Sequence, residues 1–297
     1  MKPIILHPAI LVSLLFVLLI SGCSHIPMVP TETWTGKVKS WTGKVKSWSG
    51  KVKSHLNESE GGRLLAQSMD AHGGLENWLN AGVLEFRWTY HMSDKGPDKI
   101  VDTLQQVDPS TLKAAHQVPA TDTTFGWDGT EAWISPPDAE FPTPPRFWAL
   151  TPYYFVGIPF VFGDVNARFQ LLEDIEFQGK LYNQVKVTYL PGSGDAPDDY
   201  YIILIQPESK LVAGARYIVT SPLVAKGGPP VEKLITLEAY AKYGGLLIPT
   251  YHRTFKMGVD GDPDAVGEMM RFATTKEIRW RKDAVLELIP PADAKRL

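Results

Sequence analysis

Residues 147–164 read Phe-Trp-Ala-Leu-Thr-Pro-Tyr-Tyr-Phe-Val-Gly-Ile-Pro-Phe-Val-Phe-Gly-Asp and constrain the fold more than any other stretch of the chain. Seven of these eighteen side chains are aromatic, and no charge falls between Arg146 and Asp164. Soluble proteins rarely leave so much contiguous apolar area in water, so the segment must be buried against other elements. Pro152, Gly157, Pro159 and Gly163 divide it into pieces too short for one long helix or strand. The pattern predicts a short helix or turn over Trp148–Val156 and an extended piece over Ile158–Phe162. Two roles fit such a segment. It can be a plug that closes a β-structure from one end, or the wall or lid of an apolar pocket. The two overlap, because a plug that moves is a lid.

The surrounding text supplies the β-structure. After a helix over Glu60–Ala71 and a helical turn over Leu75–Leu79, alternation begins at Val83–His91, with Phe86, Trp88 and Tyr90 on one face and Glu85, Arg87 and Thr89 on the other. Further strands are expected at Lys99–Val107, Thr111–Val118, and across a hairpin in Thr124–Ile134 that turns at Asp128-Gly129. Beyond the aromatic segment they continue through Phe169–Phe177, Tyr182–Tyr189, Tyr200–Ile205, Gly214–Thr220, Lys233–Tyr243, Ile248–Lys256 and Met269–Arg281. Some ten or eleven short antiparallel strands predict a mainly β (α+β) fold, a curved sheet or half-open barrel closed by a few helices. No linker-like stretch divides 58–297, so this part is read as one domain. If the aromatic segment faces a cavity, Trp148, Tyr153, Tyr154, Phe155, Phe160 and Phe162 should line it opposite Trp88, Trp127 and Trp133.

The N-terminus differs in character. Lys2 precedes Ala9–Ile20, an almost unbroken apolar run of twelve residues that is too short to span a bilayer comfortably and suits a signal peptide. The run ends in Leu19-Ile20-Ser21-Gly22-Cys23, which resembles the lipobox of bacterial lipoproteins, where the cysteine is acylated and becomes the new N-terminus. That resemblance implies a signal peptide over 1–22 and a lipid anchor at Cys23. With Ser24 rather than Asp following, it also implies export to the outer membrane, facing the periplasm. Cys23 is the only cysteine, so no intrachain disulfide can form. Residues 34–54 repeat one heptapeptide three times, led by Trp34, Trp41 and Trp48. As a helix, the repeat would align its tryptophans and valines on one stripe bordered by lysines, a pattern suited to an anionic membrane surface. As a solvated spacer it would need no structure, and both readings stand. Residues 23–57 are thus expected to form an anchor and tether. Residues 24–57 carry a net +5. Removing that and Lys2 from the chain's −3 leaves −9 for 58–297, which argues against nucleic acid as a partner of the domain.

Several short motifs occur together in the domain: Ala71-His72-Gly73-Gly74, Trp127-Asp128-Gly129-Thr130-Glu131-Ala132-Trp133, Tyr154–Phe160 and Gly244–Thr250. With the lipobox, this set resembles bacterial envelope lipoproteins related to the LolA/LolB lipoprotein-carrier superfamily, over most of 60–280. The resemblance implies an open antiparallel barrel closed by helices around an apolar cavity for acyl chains. It transfers no binding residue one for one.

Catalytic motifs are missing from the mature chain. It contains no Gly-x-Ser-x-Gly, phosphate loop, dinucleotide fingerprint or His-Glu-x-x-His, and its histidines are scattered. His72 reads as a helix-end cap, and His91 and His252 as surface or cap residues. The acidic runs Asp195–Asp199 and Asp260–Asp264 read as solvated turns, so neither metal nor cofactor is expected. The leading expectation is a non-catalytic, membrane-anchored protein holding a lipid or acylated partner, with envelope proteins as further candidate partners. The alternatives are a structural or interaction lipoprotein with a filled core, and a hydrolase whose carboxylates, such as Asp128, Asp164 and Asp199, converge in three dimensions. Metabolic labelling with a fatty-acid analogue should mark the wild-type protein and leave Cys23→Ala unlabelled. Equal labelling of the two would remove the anchor.

Overall fold

The computed structural model of the chain describes residues 48–225, 229–257, 267–282 and 289–297. Residues 1–22, expected as a signal peptide, together with Cys23, Trp34, Trp41 and the acidic run Asp260–Asp264, lie outside the described residues. The strands are β1 (Val83–His91), β2 (Ile100–Asp108), β3 (Lys113–Gln117), β4 (Thr124–Trp127), β5 (Ala132–Ser135), β6 (Ala167–Phe177), β7 (Lys180–Tyr189), β8 (Tyr201–Ile205), β9 (Val212–Tyr217), β10 (Lys233–Tyr243), β11 (Leu246–Lys256), β12 (Met269–Arg281) and β13 (Lys295–Arg296). They form one open sheet of 13 strands in the order β13-β5-β4-β3-β2-β1-β12-β11-β10-β9-β8-β7-β6. Every pairing is antiparallel, and two meanders, β1–β5 and β6–β12, are joined where β1 meets β12. This is the half-barrel that the strand pattern predicts, with β13 added at one margin.

Alternation sorts the two faces. On β1, Leu84, Phe86 and Trp88 enter the main core. On its other face, Glu85 is ion-paired to Arg279 and Arg281 and accepts a bond from Gln106 Nε2 at 2.8 Å. Next to it, Arg87 Nη2 donates to Asp102 at 2.6 Å. Where β1 advances from Glu85 to Arg87, β12 steps from Arg279 to Lys276. The extra residue is accommodated near Glu277, whose φ is 55°.

The helices cover the core face. Helix α2 (Glu60–Ala71) starts at Ser59, whose hydroxyl accepts from Gly62 N at 3.0 Å, and ends at His72. Gly73 follows with φ +110°, and a Cβ there would lie 2.4 Å from the Gly245 carbonyl oxygen. Only glycine permits this approach, which lets Leu247 N donate to His72 O at 2.9 Å and fixes the helix end against the β10–β11 turn. Two of the motifs singled out in the sequence therefore touch each other. Helix α3 (Leu75–Leu79) then buries Trp78.

Two expectations change. Trp148–Val156 is split into α4 (Pro145–Trp148) and α5 (Thr151–Val156), and the piece expected to be extended, Ile158–Phe162, instead enters a 3-10 turn at Phe160–Phe162. Gly157 and Gly163 bound a segment too short to pair with a strand, so local turns satisfy its backbone. The folded core also begins ahead of residue 58. Residues 48–56 are helical (α1), and Val52 and Leu56 are buried at 0% and 1% exposure within the main core. Ser49, Val52 and Leu56 share the buried face, whereas Trp48 stays 41% exposed, so the last heptad copy turns its valine and not its tryptophan inward. Leu56→Ala should cost about 2–5 kcal/mol in urea unfolding followed by circular dichroism. Trp48→Ala should change stability by less than about 1 kcal/mol.

Candidate functional site

The chain leaves the sheet at β5, next to one margin, and re-enters it at β6, which is the other margin. The connector has to cross the whole face to do so, and it does so ring by ring. Phe141 lies against Phe125 of β4 with centroids 4.5 Å apart, and Trp148 against Tyr90 of β1 at 5.3 Å. Phe155 meets Tyr217 of β9 edge-on at 5.4 Å, and Tyr154 stacks on Tyr201 of β8 at 6.1 Å. From the helical side, Trp78 stacks on Phe160 at 4.8 Å and tilts onto Tyr153 at 5.9 Å. The Thr151 hydroxyl donates to Phe147 O at 2.6 Å and fastens α5 to α4. Residues 145–163 join no strand ladder, so side-chain packing holds them in place.

Most of the nine aromatic residues expected at a cavity belong to this packing. Trp88, Trp148, Tyr153, Phe160 and Phe162 are buried in the main core, and Tyr154 and Phe155 are half-buried against it. Trp127 is half-buried at the rim, with the Arg146 guanidinium 3.5 Å above its ring. Trp133 lies elsewhere, in a small cluster with Val83 on the opposite face. The hairpin register explains this: Trp133 pairs with Gly126 and Ala132 with Trp127, so the two tryptophans point to opposite faces. A cavity of about 520 Å³ is present at the β6 margin, but none of the nine residues lines it.

Histidines set the electrostatics under the connector. His72, His116 and His252 are all buried, which corrects the surface reading of His252. His72 does cap its helix, with Nδ1 donating to Ser68 O at 2.8 Å, and its ring meets Phe160 at 6.3 Å. His116 donates from Nε2 to the Ala149 carbonyl of the connector at 2.8 Å and stacks on Phe125. His252 lies 4.8 Å from Trp88, and its ring nitrogens have no hydrogen bond of good geometry. Burial pushes His72 and His116 down to about 4 and His252 to about 3, so all three are neutral rings near pH 7. The signal for His252 was its parity: it shares the inward face of β11 with Ile248 and Thr254.

A polar rim borders the half-buried end of the connector. Tyr154 and Tyr189 hydroxyls are 3.4 Å apart, and Tyr201 stacks on Tyr217 at 6.0 Å. The Lys233 ammonium sits 5.8 Å from the Tyr217 ring, and Arg271 bonds Asp94 at 2.9 Å and Tyr90 Oη at 3.2 Å. Burial pushes the Asp199 carboxyl up, opposed by bonds from Thr220 N and Oγ1 at 2.6 and 2.8 Å. Burial pushes the Tyr154 hydroxyl up, and the charges of Asp164 and Asp199 add to that rise. Asp128 does not join them, because Arg296 holds it at 2.6 Å at the β4–β5 turn. The three carboxylates of the hydrolase alternative are therefore not brought together. Among the described residues, no cluster of three or more His, Cys, Asp or Glu is placed to hold a metal ion. The arrangement provides an apolar aromatic floor with a polar rim.

No family model and no curated relative matches the chain. Among solved structures, it is similar to a LolA superfamily protein from Nitrosomonas europaea at 13% identity, covering 73% of this chain and 94% of that one, with a TM-score of 0.44. It is similar to an outer membrane lipoprotein-sorting protein domain from Vibrio parahaemolyticus at 12% identity, covering 74% and 95%, with a TM-score of 0.40. A DUF1329 family protein from Desulfovibrio piger is similar at 10% identity over 78% and 95%, with a TM-score of 0.43.

The buried histidines make stability pH-dependent. Their folded pKa values lie below the ordinary 6.5, so below that pH the unfolded chain takes up protons more readily than the folded one. Their contribution is complete above 6.5 and is lost as pH falls toward about 4 for His72 and His116 and about 3 for His252. Within that window each histidine steepens the decline by up to about 1.4 kcal/mol per pH unit. Urea unfolding of His252→Leu should show a shallower slope than wild type between pH 6.5 and 4, whatever its absolute stability.

Proposed function

We propose that this protein is an envelope lipoprotein, anchored through Cys23 at the outer membrane, whose domain holds an acyl chain without performing catalysis. The chain would lie on the inner face of the sheet, along the path that residues 145–163 occupy in this structure. One observation carries the reading: a connector crosses the face outside any strand ladder, held mainly by ring contacts with a bond from His116 Nε2 to Ala149 O. Ring contacts are non-directional, and an acyl chain gains roughly 0.8 kcal/mol per buried CH₂, so a lipid tail can substitute for the rings. Entry falls at the half-buried end, where Tyr154 and Phe155 lean on Tyr201 and Tyr217. Lys233 and Arg271 stand there to meet a polar head. The acyl chain can belong to a free lipid or to a lipid-modified protein.

The stack of Trp78 on Phe160 at 4.8 Å favours a second reading, in which the connector is a permanent filling and the protein acts through its surface. Titration of the wild-type protein with a fluorescent fatty acid separates the two. Phe155→Asp places a charge at the half-buried position and should weaken probe binding at least about tenfold, with circular dichroism unchanged. Failure of the wild type to bind, or equal binding by the variant, leaves the filled core.

A further inference from the structure

The cavity at the β6 margin lies apart from the aromatic connector and has a different chemistry. Its volume is about 520 Å³, and it is walled by the α1–α2 corner on one side and by β6 and β7 on the other. The strand register composes its floor. Arg168 pairs with Thr188 and Gln170 with Lys186, so these four polar side chains occupy one face of adjacent strands. Arg168 and Lys186 are diagonal neighbours in that array, a separation of about 7–8 Å that two long side chains can close onto a single group.

Both cations lack a carboxylate within ion-pair distance among the described residues. The hydrogen bonds of Arg168 to Val165 O and Ala167 O use Nη1 alone, at 3.3 and 2.8 Å. The Lys186 ammonium lies 4.8 Å from the Tyr200 ring. The one carboxylate in the wall, Glu58, is bonded by His55 Nδ1 at 3.0 Å, while His55 Nε2 is 2.8 Å from the Ala167 carbonyl. His55 Nε2 is also 3.5 Å from Arg168 Nη1, so His55 links the helical corner to the β6 margin. Arg168 and Lys186 thus stand side by side in the recess as two like charges, with Glu58 in its wall but outside ion-pair distance of either.

We infer that this recess binds a phosphate group, carried by a phosphomonoester or phosphodiester, between Arg168 and Lys186. The guanidinium fork matches two phosphate oxygens, the ammonium supplies a point charge to a third, and the Thr188 and Ser59 hydroxyls can donate from the walls. A tetrahedral group with oxygens in several directions uses donors arranged in this way better than a planar carboxylate does. The phosphate can come from an anionic lipid headgroup or from a soluble ester, and the site does not depend on the acyl-chain reading.

Full-length protein in a neutral detergent should be titrated with glycerol 3-phosphate, and separately with short-chain phosphatidylglycerol against short-chain phosphatidylcholine. Wild type should bind at least one of the two phosphates. Binding of both points to the soluble ester as sufficient, and binding of the lipid alone points to the headgroup. Arg168→Gln with Lys186→Gln should weaken that binding at least about tenfold. Glu58→Gln should tighten it, and because Glu58 is exposed this variant decides the matter even if the double variant folds poorly. The lysine-rich heptads are the same in every protein compared, so their contribution cancels. The proposal is overturned if neither phosphate binds, if a folded double variant binds like wild type, if Glu58→Gln leaves affinity unchanged or weaker, or if glycerate competes as well as glycerol 3-phosphate.

Discussion

The structure depends on the requirement that one connector cross the full width of an open sheet. Strands β5 and β6 follow one another in sequence but lie near opposite margins, because each meander grows outward from the β1–β12 seam. A chain making that crossing on the core face passes over apolar side chains throughout, and a charged connector would leave charges buried without partners. The absence of charge between Arg146 and Asp164 follows from this path, as does the spacing of the rings. Four of the connector's rings meet four different strands: Phe141 on β4, Trp148 on β1, Tyr154 on β8 and Phe155 on β9.

The two faces of the sheet are held by different forces. Outside, Glu85, Arg87, Asp102, Arg279 and Arg281 form a ladder of directed, charge-assisted bonds that keeps β1, β2 and β12 in register. Inside, the contacts are stacked and edge-on rings with neutral histidines between them. The first kind fixes geometry and tolerates little exchange, and the second can be replaced by any apolar surface of similar shape. The scaffold and the contents of its inner face are thus held by separate sets of contacts. The core histidines add to it, since charging them disfavours the packed state.

The end of the segment expected as a tether is built into the core. Val52 and Leu56 place the last heptad in the main core, and the corner that follows, His55 to Ser59, forms a wall of the cavity at the β6 margin. Edge strands leave backbone groups unpaired, and here α2 and the α1–α2 corner cover the β6 edge.

Much of the fold was legible in the sequence. Val83–His91, Glu60–Ala71 and Leu75–Leu79 have the bounds their periodicity predicts, and the inward set Phe86 and Trp88 follows from strict alternation. The burial of residues 147–164 was also determined locally, because that apolar area has no stable alternative in water. Local signals could not determine what the segment packs against, since that depends on strand order, and strand order depends on which distant segments pair. They could not orient Trp133, because the hairpin turn resets its parity relative to Trp127. They missed the burial of His252, because a polar residue enters a core only where neighbouring strands and helices close over it. Nor could they bring Arg168, Lys186 and His55 together, as those residues come from β6, β7 and a helical corner far away in sequence. Periodicity decides which face a side chain occupies, and only the pairing of remote strands decides which other side chains share that face.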